Sequence, residues 1–306
     1  MEFGGRNKII VILGPTASGK SDVAIKLAQK FNGEIISADS RQIYRGMDIG
    51  TGKVTSAEQK MATHHMLDVA DPNDEFNISH FKKLAEKMIE DILKRGKLPI
   101  ICGGTGFWIK SIVDNVHLPE VKPDKELRNM LRNKSAEELF EMLEKLDIER
   151  AEDIDAKNKV RLIRAIEICK ALGSVPKIKT TNKKLKTNFE FLQIGIDVPR
   201  EILNEKIKKR LGQRFNAGMI EEVQNLNNPP AGGGVSWERL EYFGLEYRWI
   251  ARYLQEKISL DKMMDKLYFD IIHYAKRQMT WFKRDKRILW LNDYKEIEKT
   301  VEKFLS

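Results

Sequence analysis

Gly14-Pro-Thr-Ala-Ser-Gly-Lys-Ser21 decides the fold. The eight residues Gly14, Pro15, Thr16, Ala17, Ser18, Gly19, Lys20 and Ser21 match GxxxxGK[ST] in full. The apolar run Lys8-Ile-Ile-Val-Ile-Leu13 precedes them, and a helical pattern from Gly19 to Phe31 follows, with Val23, Ala24, Leu27 and Ala28 on one stripe. Strand, glycine-rich turn and helix in that order are the context a phosphate-binding loop requires. The glycines let backbone N–H groups approach phosphate oxygens, and the helix N-terminus adds a positive dipole end. Lys20 meets the phosphate charge, and the Ser21 hydroxyl is the expected protein ligand of Mg²⁺, the implied cofactor. The motif does not say which molecule carries the diphosphate. A kinase or NTPase would bind ATP here, and another enzyme could seat a different diphosphate.

Outward from this loop, strands and helices alternate. Glu34 to Ser37 reads as a second strand, Ser79 to Arg95 as an amphipathic helix, and Leu98 to Cys102 as a third, buried strand running into Gly103-Gly104. That alternation predicts an α/β fold, a P-loop NTPase-like parallel sheet flanked by helices. Composition shifts after about Pro119. From Val121 to Ala171 the chain is charged amphipathic helix, with a capping box at Ser135 and Glu138. A polar basic linker, Lys177 to Lys186, leads back to strand character at Phe191 to Ile196. The remainder is helical except for a late strand at Arg287 to Leu291, and Asn227 to Gly234 is a loop. The expected organisation is a core of residues 1–117 and 189–306 interrupted by a mostly helical insertion at 118–188.

Charge and composition narrow the class. The 306 residues carry 54 Lys and Arg against 45 Asp and Glu, a net charge of +9. Such a surplus favours an anionic partner: nucleic acid, phosphorylated substrates or a membrane surface. No apolar run reaches the roughly 18 residues that span a bilayer, and the N-terminus shows no signal peptide. The expectation is a cytoplasmic protein without membrane contact. Cys102 and Cys169 are far apart in apolar company and read as buried reduced thiols.

Beyond the loop, Asp39 falls just past the second strand. Ligands of open α/β sheets sit outside the carboxyl ends of the strands, so Asp39 is a candidate general base. A strand-end Asp can equally be a loop cap. Thr105, in Gly103-Gly-Thr-Gly106 after the third strand, would face the same crevice. His64-His65 resembles half a metal site, but no further His or Cys stands at suitable spacing.

Six ordered stretches together are far more specific than the loop alone. They are GPTASGKS at Gly14–Ser21, ADSRQIYRGMDIGT at Ala38–Thr51, HHMLD at His64–Asp68, GGTG at Gly103–Gly106, NKVRLIRAIE at Asn158–Glu167 and AKRQMTWFKRD at Ala275–Asp285. With them the chain resembles the bacterial tRNA dimethylallyltransferases, from near its N-terminus almost to its end. Phe107-Trp108 stands where Leu-Tyr is commoner, Val160 replaces a residue that is often polar, and the Cys/His zinc finger of some eukaryotic relatives is missing.

The resemblance implies that the loop holds dimethylallyl diphosphate, and that the 6-amino group of an adenosine in the tRNA anticodon stem-loop attacks its allylic carbon. It implies that Asp39, Thr105 and Lys20 carry the catalysis, that Arg210 helps hold the diphosphate, and that Thr16 and Thr105 line the channel where the substrates meet. It places Asp39, Ser40, Arg41, Gln42 and Thr105 against the target nucleotide. Arg161 and Arg164, three apart on a helix of the insertion, and Arg277 and Gln278 then fall to the tRNA. The segment Ala275–Arg287 interleaves six Lys and Arg with Trp281 and Phe282, which suits phosphate contact and base stacking. Core packing is the competing use for Trp281. Nothing in the chain demands a dimer, so a monomer is expected.

Three other functions fit parts of the chain. A small-molecule P-loop kinase has no use for a basic helical insertion. An adenylate isopentenyltransferase shares the loop and the base, but a free nucleotide needs neither the insertion nor the basic C-terminal segment. A non-catalytic RNA-binding protein does not need Lys20, Ser21 and Asp39 together.

Overall fold

The structure is a computed structural model that describes residues 7–176, 189–230 and 232–306. The basic linker expected at Lys177 to Lys186, and with it the expected end of the insertion at 188, lie outside the described residues. Contacts divide the chain into two compact units, Met1–Asn115 with Lys184–Ser306, and Val116–Lys183.

The first unit begins with β1 (Asn7–Leu13), α1 (Lys20–Lys30), β2 (Gly33–Ser37), α2 (Ser56–Met61), β3 (His64–His65), α3 (Ile78–Lys94), β4 (Leu98–Gly103) and α4 (Gly106–Val113). The second unit holds α5 (Lys125–Arg132), α6 (Ala136–Leu146), α7 (Ile148–Asp153) and α8 (Lys159–Leu172). The first unit resumes with β5 (Phe189–Ile196), α9 (Arg200–Asn216), α10 (Met219–Asn227), α11 (Trp237–Phe243), α12 (Leu245–Leu254), α13 (Leu260–Phe282), β6 (Leu289–Leu291) and α14 (Tyr294–Leu305).

The six strands form one parallel sheet in the order β3-β2-β4-β1-β5-β6. β1 is central, and its alternating side chains enter two cores. Ile9, Val11 and Leu13 join one apolar cluster, and Ile10 and Ile12 join the other. Burial on both faces is why the run reads as continuously apolar. α1 and α14 cover the smaller cluster, while α3, α4 and α9 to α13 cover the larger. In α3, Phe81, Ala85, Ile89 and Ile92 form the buried stripe, and the Asn77 side chain caps the N-terminus by accepting from the Ser79 and His80 N–H groups.

β3 was not expected. Two residues carry no periodicity, and His64-His65 is a strand only because it pairs with Ile35 and Ile36 of β2. His65 Nε2 lies 2.7 Å from Glu34 Oε2 and His64 Nδ1 2.8 Å from the Ala62 carbonyl, so both rings serve the sheet edge. The last strand is shorter than the sequence suggests, Leu289–Leu291 in place of Arg287–Leu291, because Asp285 and Arg287 close a turn on each other.

The second unit has its own core of Leu127, Leu131, Leu139, Leu143, Leu162 and Ile166. The Ser135–Glu138 capping box forms. Glu167 is almost wholly buried there and accepts from Arg128, Arg164 and the Asp124 N–H. Breaking one member of such a buried set strands a charge, so it is part of what folds the insertion.

Candidate active site

In an open parallel sheet the loops after the strand ends share one crevice. Here β1 delivers the Gly14–Ser21 loop, β2 delivers Asp39 to Gln42, and β4 delivers Gly103 to Thr105. Helices α9, α12 and α13 bring polar groups from the other side. The result is a cleft lined by Thr16, Lys20, Ser21, Asp39, Arg41, Gln42, Arg210 and Gln278 among the expected residues.

The loop enters α1 through Gly19, whose φ of +89° is left-handed backbone that a glycine adopts without strain. Lys20 Nζ donates to the Pro15 carbonyl at 3.3 Å and so folds back over the loop. Arg210, from α9, donates to Thr16 Oγ1 at 2.6 Å. Gln278, from α13, bridges the two sides: its Oε1 accepts from Thr16 N–H and its Nε2 donates to the Gly104 carbonyl, each at 2.9 Å. Ser18 Oγ is buried without a partner beside this cradle.

Across the cleft, Asp39 Oδ1 accepts from the Arg41 N–H at 2.9 Å, which fixes the carboxylate. Thr105 Oγ1 accepts from the Ser40 N–H at 3.1 Å, so Thr105 shapes the turn that presents Asp39 without itself lining the cleft. Arg41 donates to the Phe243 carbonyl and lies over the Phe243 ring, and Gln42 donates to the Gly52 carbonyl. Arg277 is exposed, with its guanidinium 5.9 Å from the Tyr274 ring centroid. Trp281 is half-buried against Phe107 and the Gly106 backbone, which is its packing use. In the second unit, Arg161 is exposed, while Arg164 is half-buried and donates to Glu167 and to the Val121 carbonyl at 2.9 Å.

Four residues that sequence reasoning missed also build the site. Arg214 is 9% exposed and sits one helical turn beyond Arg210, where its Nη1 donates to Glu246 at 3.0 Å and to the Gly50 carbonyl at 3.1 Å. Glu222 accepts from three successive N–H groups, Asp48, Ile49 and Gly50, and from the Tyr247 hydroxyl. Glu246 and Tyr274 line the cleft as well. The Arg210/Arg214 spacing of four was the available signal for the first of them.

Electrostatically the cleft is a cation cluster. Burial lowers the Lys20 ammonium pKa, and the nearby Arg210 and Arg214 push the same way. Burial and then Arg214 push the Arg210 guanidinium down to about 10. Burial raises the Glu246 carboxyl, and Arg214 opposes that. Burial pushes the Cys102 thiol up to about 12, and Cys102 and Cys169 are both buried free thiols. Crowded buried cations of this kind are stabilised by a polyanion placed among them.

Among the described residues no three His, Cys, Asp or Glu side chains gather as a metal cluster, and no helix is long and apolar enough to cross a membrane.

A sequence model of the family described as IPP transferase matches residues 42–285. The chain is 37% identical over 303 residues to tRNA dimethylallyltransferase 1 of Syntrophus aciditrophicus, covering 96% of this chain and 97% of that one. Among solved structures, the full-length tRNA isopentenylpyrophosphate transferase of Bacillus halodurans superposes with a TM-score of 0.70 at 32% identity, over 98% of this chain and 96% of that one. A eukaryotic dimethylallyltransferase acting on tRNA gives a TM-score of 0.76 at 27% identity, over 94% and 74%. With a parallel sheet of the expected kind and a family match across most of its length, the chain belongs to the IPP transferase family.

Proposed function

We propose that this protein transfers a dimethylallyl group from dimethylallyl diphosphate to the exocyclic 6-amino group of the adenosine 3′ of a tRNA anticodon, releasing diphosphate. The observation that carries the proposal is one cleft holding both a cationic cradle (Lys20 and Arg210, with Thr16 and Ser21 of the loop) and a fixed carboxylate, Asp39. The names of the relatives, all acting on tRNA, favour it over a free-nucleotide enzyme or a small-molecule kinase.

In the reaction the N6–C1 bond forms as the C1–O bond to diphosphate breaks. The Asp39 carboxylate takes the N6 proton as general base. Lys20, Arg210 and the loop amides stabilise the charge that develops on the leaving diphosphate, which keeps the bonding electron pair. Gln278 and Thr16 hold the cradle at fixed distance from β4, and Thr105 holds the turn that carries Asp39. Arg41 and Gln42 sit where the incoming base would rest. A base stacked in an anticodon loop must be flipped out to reach such a cleft. Arg161 and Arg277 are exposed cations free to meet RNA phosphates. An RNA contact at Arg164 would have to draw its guanidinium from Glu167 and Val121.

The donor set suits Mg²⁺. Ser21 stands half-buried at the start of α1 and Asp39 lies in the same cleft, without an all-protein cage around them. Mg²⁺ is commonly held this way, by one or two protein oxygens with substrate phosphates and waters. Ser21 would hold it, and its charge would neutralise the leaving diphosphate. The proposal takes the enzyme to be a monomer and, with tRNA as substrate, cytoplasmic.

The test offers purified protein, Mg²⁺ and labelled dimethylallyl diphosphate to unmodified tRNA and, separately, to AMP, with Asp39→Ala alongside. Label entering tRNA alone and lost in Asp39→Ala is the expected result. Label in AMP, or ATP consumption with no prenyl transfer, overturns it.

A further inference from the structure

Arg214 holds a hydrogen-bond donor that the fold does not use. Its Nη1 makes both of the contacts that tie α9 to Glu246 and to the loop at Gly50. Its Nη2 is buried, with no hydrogen-bond partner. A buried, charged N–H left unpaired is a standing penalty. A purely structural tie between helix and loop accounts for Nη1 alone, and an apolar or shorter side chain would avoid the orphan.

The surroundings say what would satisfy it. Arg214 lines the same cleft as Lys20 and Arg210. It is seated against Gly52, where a Cβ would lie only 1.7 Å from Nη2, so the loop has no side chain at the one place that would displace this nitrogen. The charged groups in the cleft are Lys20, Arg41, Arg210 and Arg214 against Asp39 and Glu246. Cations are in excess even with both carboxylates ionised. A planar guanidinium fixed at one end presents its remaining donor in a set direction, which suits a phosphate oxygen better than a mobile ammonium does.

We infer that Arg214 Nη2 is a second guanidinium contact to the diphosphate of the prenyl donor, with Glu246 and the Gly50 carbonyl as the groups that aim it. The inference rests on the proposed use of the cleft for a prenyl diphosphate. Glu246 acts through Arg214 and is a positioning residue.

The experiment titrates inorganic diphosphate with Mg²⁺ into the full-length protein by calorimetry, and measures KM separately for dimethylallyl diphosphate and for tRNA. Two variants are compared with the unaltered chain: Arg214→Lys, which keeps the charge beside Glu246, and the double variant Arg214→Gln with Glu246→Gln, which leaves neither buried charge unpaired. Thermal melts establish that each is folded. Loss of a charge-assisted hydrogen bond should weaken diphosphate binding roughly tenfold to a hundredfold, raise KM for the prenyl donor and leave KM for tRNA within about twofold. Diphosphate affinity unchanged in either folded variant overturns the inference and leaves Arg214 as a tie for the loop. No diphosphate binding by the unaltered protein overturns the proposed use of the cradle, and the role of Arg214 with it.

Discussion

Replacing Gln278 by Leu should loosen the phosphate cradle while leaving the sheet intact. Gln278 is 7% exposed, and both ends of its amide are used, one on Thr16 N–H and one on the Gly104 carbonyl, each at 2.9 Å. Leu has nearly the same volume, so no cavity opens. The Gly104 carbonyl sits in the buried part of the bridge and loses its donor, at a cost of about 1–3 kcal/mol, and the part-buried Thr16 N–H loses its acceptor for about 1 kcal/mol more. A total of about 2–3 kcal/mol is expected once the added apolar contact is counted. Urea unfolding followed by tryptophan fluorescence reads the stability, and KM for the prenyl donor reads the cradle. Gln278→Glu separates the two ends. It keeps an acceptor for Thr16 but turns a carboxylate oxygen toward the Gly104 carbonyl. At neutral pH it should be less stable than Gln278→Leu, and it should recover as the pH falls toward about 5 and the carboxyl regains a donor. A change under about 0.5 kcal/mol in Gln278→Leu, with KM for the prenyl donor unaltered, refutes the bridge.

Other consequences are direct. Asp39→Asn should cut the rate of transfer to tRNA by roughly 10²–10⁴-fold while leaving diphosphate binding within a few-fold, read by single-turnover kinetics and calorimetry. The Glu34 carboxyl is held well below its ordinary value by Arg95, then by Lys97 and His65, against the cost of burial. A depressed folded-state pKa contributes stability above the unfolded value and loses it as pH falls. The unaltered protein should therefore lose stability below about pH 5, and Glu34→Gln should flatten that slope; equal slopes in the two proteins would count against the ion pairs. Gly52→Ala forces a Cβ onto Arg214 at a φ of +60°. It should lower stability by about 1–3 kcal/mol and weaken diphosphate binding, and an unaltered denaturation midpoint would show that the loop can move aside.

The half of the site that comes from strand ends was legible because its signals are local. The Gly14–Ser21 loop carries its own pattern, and Asp39 and Thr105 are placed by lying just past apolar runs. Nothing in the resemblance was needed to expect that those three loops share a crevice. The reach of each residue was harder to foresee. Thr105 turned out to hold the Ser40 backbone, outside the cleft lining, and Gln278 to bridge two loops while lining the cleft, because the amide and the hydroxyl each meet backbone partners that lie far off in sequence. β3 escaped notice since two residues cannot show a period.

The other half lies on α9, α12 and α13, and there the signal is a polar residue occupying a core position. In α9 the buried stripe runs Leu203, Ile207, Leu211 and then Arg214, and in α13 it runs Ile271, Ala275, Gln278 and Phe282. Helical spacing predicts that Arg214 and Gln278 point inward with their apolar neighbours. Burying a guanidinium or an amide costs free energy unless partners wait inside. Such a residue in an otherwise apolar stripe therefore implies a polar interior at that height of the helix, and a sheet of this type is polar inside only beyond its strand ends. Read that way, the stripe positions of α9 and α13 locate the far wall of the cleft from sequence alone. The same criterion flags Glu167 in α8, whose interior partners are Arg128 and Arg164. It finds buried polar networks of both kinds, and what distinguishes the cleft from the Arg128–Glu167–Arg164 cluster is a buried donor left without a partner, Arg214 Nη2.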